Sequence, residues 1–413
     1  MNTISPKDLI RIRDLAKQQA DIAESDTMHE LIDLWRMHSA RKALRPMVTI
    51  ELWTFENDII PPLLQCEGIK AREIEASLLR NIVNHTLFSD DTVVDGFFAL
   101  QNHAAMTPFG IDVVAEAPKS GESLGHHFKE TITDLEEQFD LLKPSKISID
   151  THPTNEYQAY LSELFGDILP VRITGQGLAS CLTQNIVHIM SMETMFYAMC
   201  DCPDEFHRMM EMLTDDYIRM FRMMETQNIL LPTCSSEHVA QGAYCFTDEL
   251  SDNLPAYKST DLWGYMDSQE SSGISPDMYC EFVFPYYEKI AAQFGLLSYG
   301  CCEAVSPIWD DCISKLKNLR RVSISPWCDE RFMGERLAGG NVIYHRKPSP
   351  NYLGVDAVLD EDAIKAYIQA TVSAAKGCTI EFTQRDVYTV HNSPAKVQRY
   401  VELIREMSQD AYR

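Results

Sequence analysis

The sequence is short of positive charge. Its 413 residues carry 36 Lys and Arg against 61 Asp and Glu, a formal net charge of −25. A surface of that sign repels nucleic-acid phosphates and anionic headgroups, so neither nucleic acid nor a membrane is expected as a partner. No apolar run is long enough to cross a bilayer. The first stretch, MNTISPKDLIRIRDLAKQQADIAESD, is charged throughout and lacks a signal-peptide core, so a cytoplasmic protein is expected. Linkers rich in Pro, Gly or Ser are missing, and so are low-complexity segments. A CxxC…CxxC zinc signature is missing too. Cysteine itself is not scarce. Twelve cysteines in a chain of this length do not make a disulfide framework; in a reducing compartment they are buried apolar residues, ligands or reactive thiols.

What is present is a strand–helix rhythm. Residues 7–45 read as two amphipathic helices, and Met47 to Trp53 alternates as a first strand. Residues 61–89 read as helical, and Thr92 to Phe98 as a second strand. The stretch from about 104 to 168 is poor in periodicity and reads as an excursion. Further strands are expected at 170–174, 230–237, 261–266, 296–299, 321–325, 341–345 and 378–382. A long helical stretch at 193–227 is interrupted at Cys202-Pro203-Asp204, with Asp204 suited to a cap. Ser275-Pro276 opens another helix. Units of roughly 25–40 residues are what a parallel barrel requires. The expected fold is therefore α/β: a single (βα)8 TIM-type barrel over 46–413 with an N-terminal helical extension over 1–45.

The strand ends collect polar and reactive residues, and in such a barrel that rim is where chemistry is done. In order they are Trp53, His103, Asp267 with Gln269 and Glu270, Tyr299 with Cys301, Cys302 and Glu303, Trp327, Lys347, and Asp386. For Cys301, Cys302 and Glu303 the sharp reading is a zinc site, since thiolate and carboxylate suit zinc and a catalytic site keeps one position open. The bland reading is one buried and one surface cysteine in a turn. Asp386 is a ligand, an orienting carboxylate, or an ion-pair partner of Arg385 or Lys347. His345-Arg346-Lys347 is an anion site or a solvated basic turn. Asp267 and Glu270 would do acid–base work if buried together. The lone histidines His103 and His238 read more readily as structural, as do His126, His127, Cys200 and Cys202.

Several stretches taken together resemble the uroporphyrinogen decarboxylase superfamily, which includes zinc- and corrinoid-dependent methyltransferases. They are TDELSDNLP at 247–255, YMDSQESSGISPDMYCEFVFPYYEKI at 265–290, SYGCCE at 298–303, RRVSISPWCDER at 320–331 and EFTQRDVYTVHNSP at 381–394. The resemblance covers about residues 30–410 and implies a (βα)8 barrel with its site at the C-terminal rim. For the methyltransferases it implies zinc, held by a His-x-Cys pair and a later Cys, and a methylcorrinoid delivered by a partner protein. Here the His position falls on Tyr299, the first Cys on Cys301 and the later Cys near Asp386. The decarboxylase looks like a protein with an Arg-rich N-terminal passage that neutralises a polycarboxylate; the matching stretch here, RPMVTIELWTFEND, is acidic and aromatic.

The reading is a methyltransferase of corrinoid or one-carbon metabolism acting on a small molecule. Zinc is assigned to Cys301, Cys302 and Glu303. Asp267, Tyr299 and Asp386 are assigned to catalysis, and Trp53, His103, Gln269, Glu270, Trp327 and Lys347 to substrate. The alternatives are a cofactor-free decarboxylase using Asp267 or Asp386, and a non-catalytic barrel that docks a corrinoid protein. Monomer and homodimer are both open.

Overall fold

The computed structural model describes residues 4–116 and 127–409. His126, read above as structural, lies outside them. Two capped helices lead the chain. Ser5 accepts from the Asp8 amide to start Pro6–Ala23, and Ser25 accepts from the Met28 amide to start Asp26–Ser39.

Among the described residues, nine short strands pair in parallel: β1 (Met47–Ile50), β2 (Phe98–Gln101), β3 (Val171–Thr174), β4 (Leu178–Ala179), β5 (Trp263–Met266), β6 (Leu296–Tyr299), β7 (Leu319–Ile324), β8 (Ile343–Arg346) and β9 (Ile380–Gln384). Seven form one parallel sheet in the order β1-β9-β8-β7-β6-β5-β4, and β2 pairs with β3 in a separate parallel ladder. β5, β6, β8 and β9 are buried along their whole length; β5 and β6 read as near-continuous apolar runs, whereas β8 and β9 carry buried charges.

The large sheet curls strongly. β6 and β9 are three places apart, about 14 Å in a flat sheet at about 4.8 Å per step. Yet Cys302, just past β6, approaches Asp386, just past β9, with Sγ and Oδ2 3.6 Å apart. Curling brings successive strand ends around one mouth. The other end is covered by Asp26–Ser39, whose His38 Nε2 lies 3.1 Å from the Ile380 carbonyl at the start of β9.

The sequence expectation of a closed eight-stranded barrel is met by a curled seven-stranded sheet with β2 and β3 in a ladder of their own, and the expectations also shift in four places. The second strand is not Thr92–Phe98 but Phe98–Gln101, because Asp90 and Asp91 hold the earlier residues to the β1 backbone. Ile50 N–H donates to Asp90 and Val48 N–H to Asp91, each at 2.7 Å. No strand forms at 230–237; instead a hairpin joins His238–Ala240 to Ala243–Tyr244. The excursion carries an antiparallel arm, His103–Thr107 with Lys146–Asp150, and a short ladder that includes His127. Cys202, not Asp204, is the residue before helix Pro203–Thr226, with Pro203 at its first position and Asp204 in its first turn. Ser275 does cap Pro276–Phe282, accepting from the Met278 amide at 3.2 Å. Among the described residues, no helix is long and apolar enough to cross a membrane.

Candidate active site

Gly300 turns the chain out of β6 with φ of +99°, a conformation glycine adopts freely. The turn sets Cys301 and Cys302 side by side, with sulfurs 3.5 Å apart. Cys302 donates to Asp386 Oδ2 at 3.6 Å, and Arg385 Nη1 lies 3.6 Å from the Cys301 sulfur. Arg385 is anchored by Glu51, just past β1, at 2.7 Å. Lys347, just past β8, reaches the Gly300 carbonyl at 3.4 Å. The close contact between the thiols, with burial, splits them: Cys301 is pushed up, and Cys302 is drawn below the usual thiol range. Burial pushes the Lys347 ammonium below the usual lysine value.

Two carboxyl groups lie beneath the thiols. Asp267, just past β5, accepts from the Tyr265 hydroxyl at 2.6 Å through Oδ2. Its Oδ1 is buried without a hydrogen-bond partner, with the Cys181 thiol beside the carboxylate. Burial raises its pKa. Glu303 accepts from the Ser268 amide at 3.0 Å and the Cys301 amide at 2.7 Å. Burial, reinforced by the Asp267 charge, pushes it up to about 7.

The mouth therefore gathers Asp267, Cys301, Cys302, Glu303, Lys347 and Asp386 from four strand ends. The remaining expected site residues lie elsewhere. Tyr299 is in the interior: its side chain turns away from the mouth, and its hydroxyl meets Ser268 at 2.7 Å and Tyr279 at 2.6 Å. Glu270 is buried against Thr183 at 2.8 Å. Gln269 opens the short turn Gln269–Ser271. His103 sits on the antiparallel arm opposite Asp150. Trp327 is 76% exposed. Trp53, 65% exposed, lines a cleft of about 370 Å³ together with Glu51, Leu52, Gln241, Gly242 and Tyr244. The basic triplet is split by strand alternation. His345 faces the sheet interior, Arg346 pairs outward with Glu330 at 2.6 Å, and only Lys347 reaches the mouth.

These positions do not fit the expected zinc set. Glu303 spends both carboxylate oxygens on backbone amides. Among the described residues, no group of three or more His, Cys, Asp or Glu side chains could hold a metal ion.

The fold is similar to that of a methyltransferase from Methanosarcina mazei. That likeness has a TM-score of 0.51 and 13% identity, and it covers 90% of this chain and 97% of the methyltransferase. At this identity the methyltransferase speaks for the fold alone. No family model matches the chain. Nor does any curated protein match it.

The sequence reading missed Gln241 and the interior network below the mouth. Gln241 carried no hairpin signal: Gln-Gly is not among the Asn-Gly, Asp-Gly or Gly-Gly pairs that mark a two-residue hairpin, and only Gly242 pointed to a turn. Arg321 and Glu381 were legible as charges in the middle of buried strands, which require partners.

Proposed function

We propose that this chain is a (βα)8-type enzyme of the uroporphyrinogen decarboxylase superfamily that transfers a methyl group at the mouth formed by Cys301, Cys302, Lys347, Arg385 and Asp386. The observation that carries the reading is the Cys302–Asp386 contact, a thiol against a carboxylate at the ends of two distant strands. Likeness in fold to a methyltransferase agrees with it. In methyl transfer an acceptor X–H attacks the methyl carbon, the bond to the donor's leaving group breaks, and the proton of X–H must go to a base. Asp386 is that base, placed at the mouth with Arg385 Nη2 3.9 Å from its Oδ1. No step is assigned to zinc. A methylcorrinoid, carried by a partner protein, remains the proposed donor on the strength of the sequence resemblance.

The test is demethylation of methylcobalamin with a panel of small thiols, followed by absorbance, on wild type and Asp386→Asn. We expect turnover in wild type and a loss of about a hundredfold in the variant, the usual range for a missing general base. An unchanged rate in Asp386→Asn would remove the assigned role. Elemental analysis runs alongside. One zinc per chain in wild type, lost in Cys301→Ser, would overturn the ligand reading above.

One observation favours a second reading, a cofactor-free carboxy-lyase. Asp267 is buried, raised in pKa, and has an unpartnered Oδ1. When a carboxylate leaves as carbon dioxide, the electron pair stays on carbon and takes a proton; protonated Asp267 would supply it. Release of carbon dioxide that survives chelation, and is lost in Asp267→Asn, would establish this reading instead.

A further inference from the structure

Lys347 is 4% exposed, and its ammonium touches only neutral oxygens: Gln241 Oε1 at 3.3 Å and the Gly300 carbonyl at 3.4 Å. Among the described residues it has no ion-pairing carboxylate. Buried charges are ordinarily paired, because an uncompensated ion loses its hydration without return. The same Gln241 oxygen also accepts from the Cys301 thiol at 3.3 Å. One side-chain oxygen therefore takes two of the donors at the mouth, the Lys347 ammonium and the Cys301 thiol. It is delivered by a hairpin turn in which Gln241 and Gly242 have φ of +57° and +75°. Gln241 also lines the cleft of about 370 Å³, so it stands between that cleft and the thiols.

We infer that the Gln241 amide oxygen is a stand-in for a ligand oxygen. The place it fills, between Lys347 and Cys301, is then a binding site for the carboxylate of a small monoanionic molecule that enters by the cleft. Shape and charge together select the class. A primary amide and a carboxylate are planar and nearly the same size, so the space already fits a carboxylate. The carboxylate adds a negative charge in direct contact with Lys347, on which Cys302, Glu303 and Asp267 act only from beyond ion-pairing distance. Arg385 contributes no second vacancy, being held by Glu51 at 2.7 Å. Asp386 and Glu51 stand close by and repel a multiply charged ligand. Leu52, Trp53 and Tyr244 along the cleft give the rest of the molecule an apolar and aromatic wall. The inference rests on this mouth being the reactive centre, but on neither proposed reaction.

The test is calorimetric titration of the full chain with butyrate, butyramide and inorganic phosphate, without any methyl donor. Wild type is expected to bind butyrate and not butyramide. Gln241→Ala removes the competing oxygen and should bind butyrate about tenfold tighter, as when a blocked state holds about nine-tenths of the population. Gln241→Glu supplies its own carboxylate; it should lose butyrate binding and melt at a higher temperature. Lys347→Met should lose butyrate binding. If that variant does not fold, the isosteric Gln241→Glu carries the test alone. Maleimide labelling of Cys301 and Cys302, read by peptide mass spectrometry, should rise in Gln241→Ala and fall again when butyrate is added. The inference is overturned if Gln241→Ala binds no butyrate, or if Gln241→Glu binds it as wild type does. Equal binding of butyramide or of phosphate also overturns it. Protein that binds butyrate as expected but transfers no methyl group overturns only the methyl-transfer reading; active protein that binds no butyrate overturns only this one.

Discussion

Arg321 and Glu381 place full charges inside the curled sheet. Their side chains are fully buried and meet at 2.5 Å, with Arg321 Nη2 also donating to the Tyr244 carbonyl at 3.1 Å. Burial keeps His38 and His345, which face the same glutamate, neutral near pH 7. Among the described residues, the arginine is therefore the one full positive charge paired with Glu381. Arg321→Met should destabilise the fold by about 3–5 kcal/mol, since it strands a buried carboxylate. Arg321→Met with Glu381→Leu should recover most of that loss, because breaking a buried pair costs more than replacing it. Chemical denaturation of the two variants checks this; a double variant no more stable than the single one would show that the network acts through something other than charge. This network was legible only in part. Strand alternation put Arg321 and Glu381 on expected strands, but partner choice depends on the curl, which no local pattern encodes.

At the scale of the element, the hairpin His238–Tyr244 is what local reading displaced. Apolar residues at 230–237 suggested a strand, but the backbone there is drawn into loop contacts, with Cys245 N–H donating to the Glu237 carbonyl at 2.8 Å and Thr247 N–H to the Cys234 carbonyl at 3.2 Å. The turn that follows packs tightly onto β9: a Cβ at Gly242 would lie 2.6 Å from Thr383 Cγ2. Gly242→Ala meets both that contact and the left-handed φ, a cost of about 1–3 kcal/mol. It should loosen the hairpin and withdraw Gln241. The expected outcome is faster maleimide labelling of Cys301 with the sheet intact by circular dichroism. Unchanged labelling would mean that the hairpin does not cover the thiols. The helix caps at Ser5, Ser25 and Ser275 were far more legible than the hairpin, because a cap is decided within four residues. The hairpin is decided by a strand about 140 residues away.

For the whole molecule, the strand–helix rhythm was legible because each unit buries its own apolar face, so β5 to β9 fall within a few residues of expectation. What the rhythm could not give was the convergence of Cys302 with Asp386, the retreat of Tyr299 from the mouth, or the turn of Glu303 onto the Ser268 and Cys301 amides. All three depend on which way a side chain turns at a strand end. The same buried acids set the pH behaviour of the fold. Burial raises Asp90 and Asp95 to about 6 and Glu303 to about 7. A group whose pKa is raised on folding gives stability that is complete below its unfolded value and is lost as pH climbs through the folded value. These acids therefore weaken the fold between about pH 4 and pH 7. Ion-paired acids act the other way: Arg399 and Lys365 hold Glu361 at about 2, so its contribution is lost only as pH falls below the ordinary glutamate range. That three-residue cluster is on the surface and contributes little. Above neutrality the unscreened charge of −25 adds repulsion. Stability should peak near pH 5, and added salt should raise the melting temperature more at pH 8 than at pH 5. A melting series from pH 4 to pH 8 at low and high salt decides it. A maximum above pH 7, or a salt effect that does not grow with pH, would mean that buried carboxyls and net charge do not govern the stability of this fold.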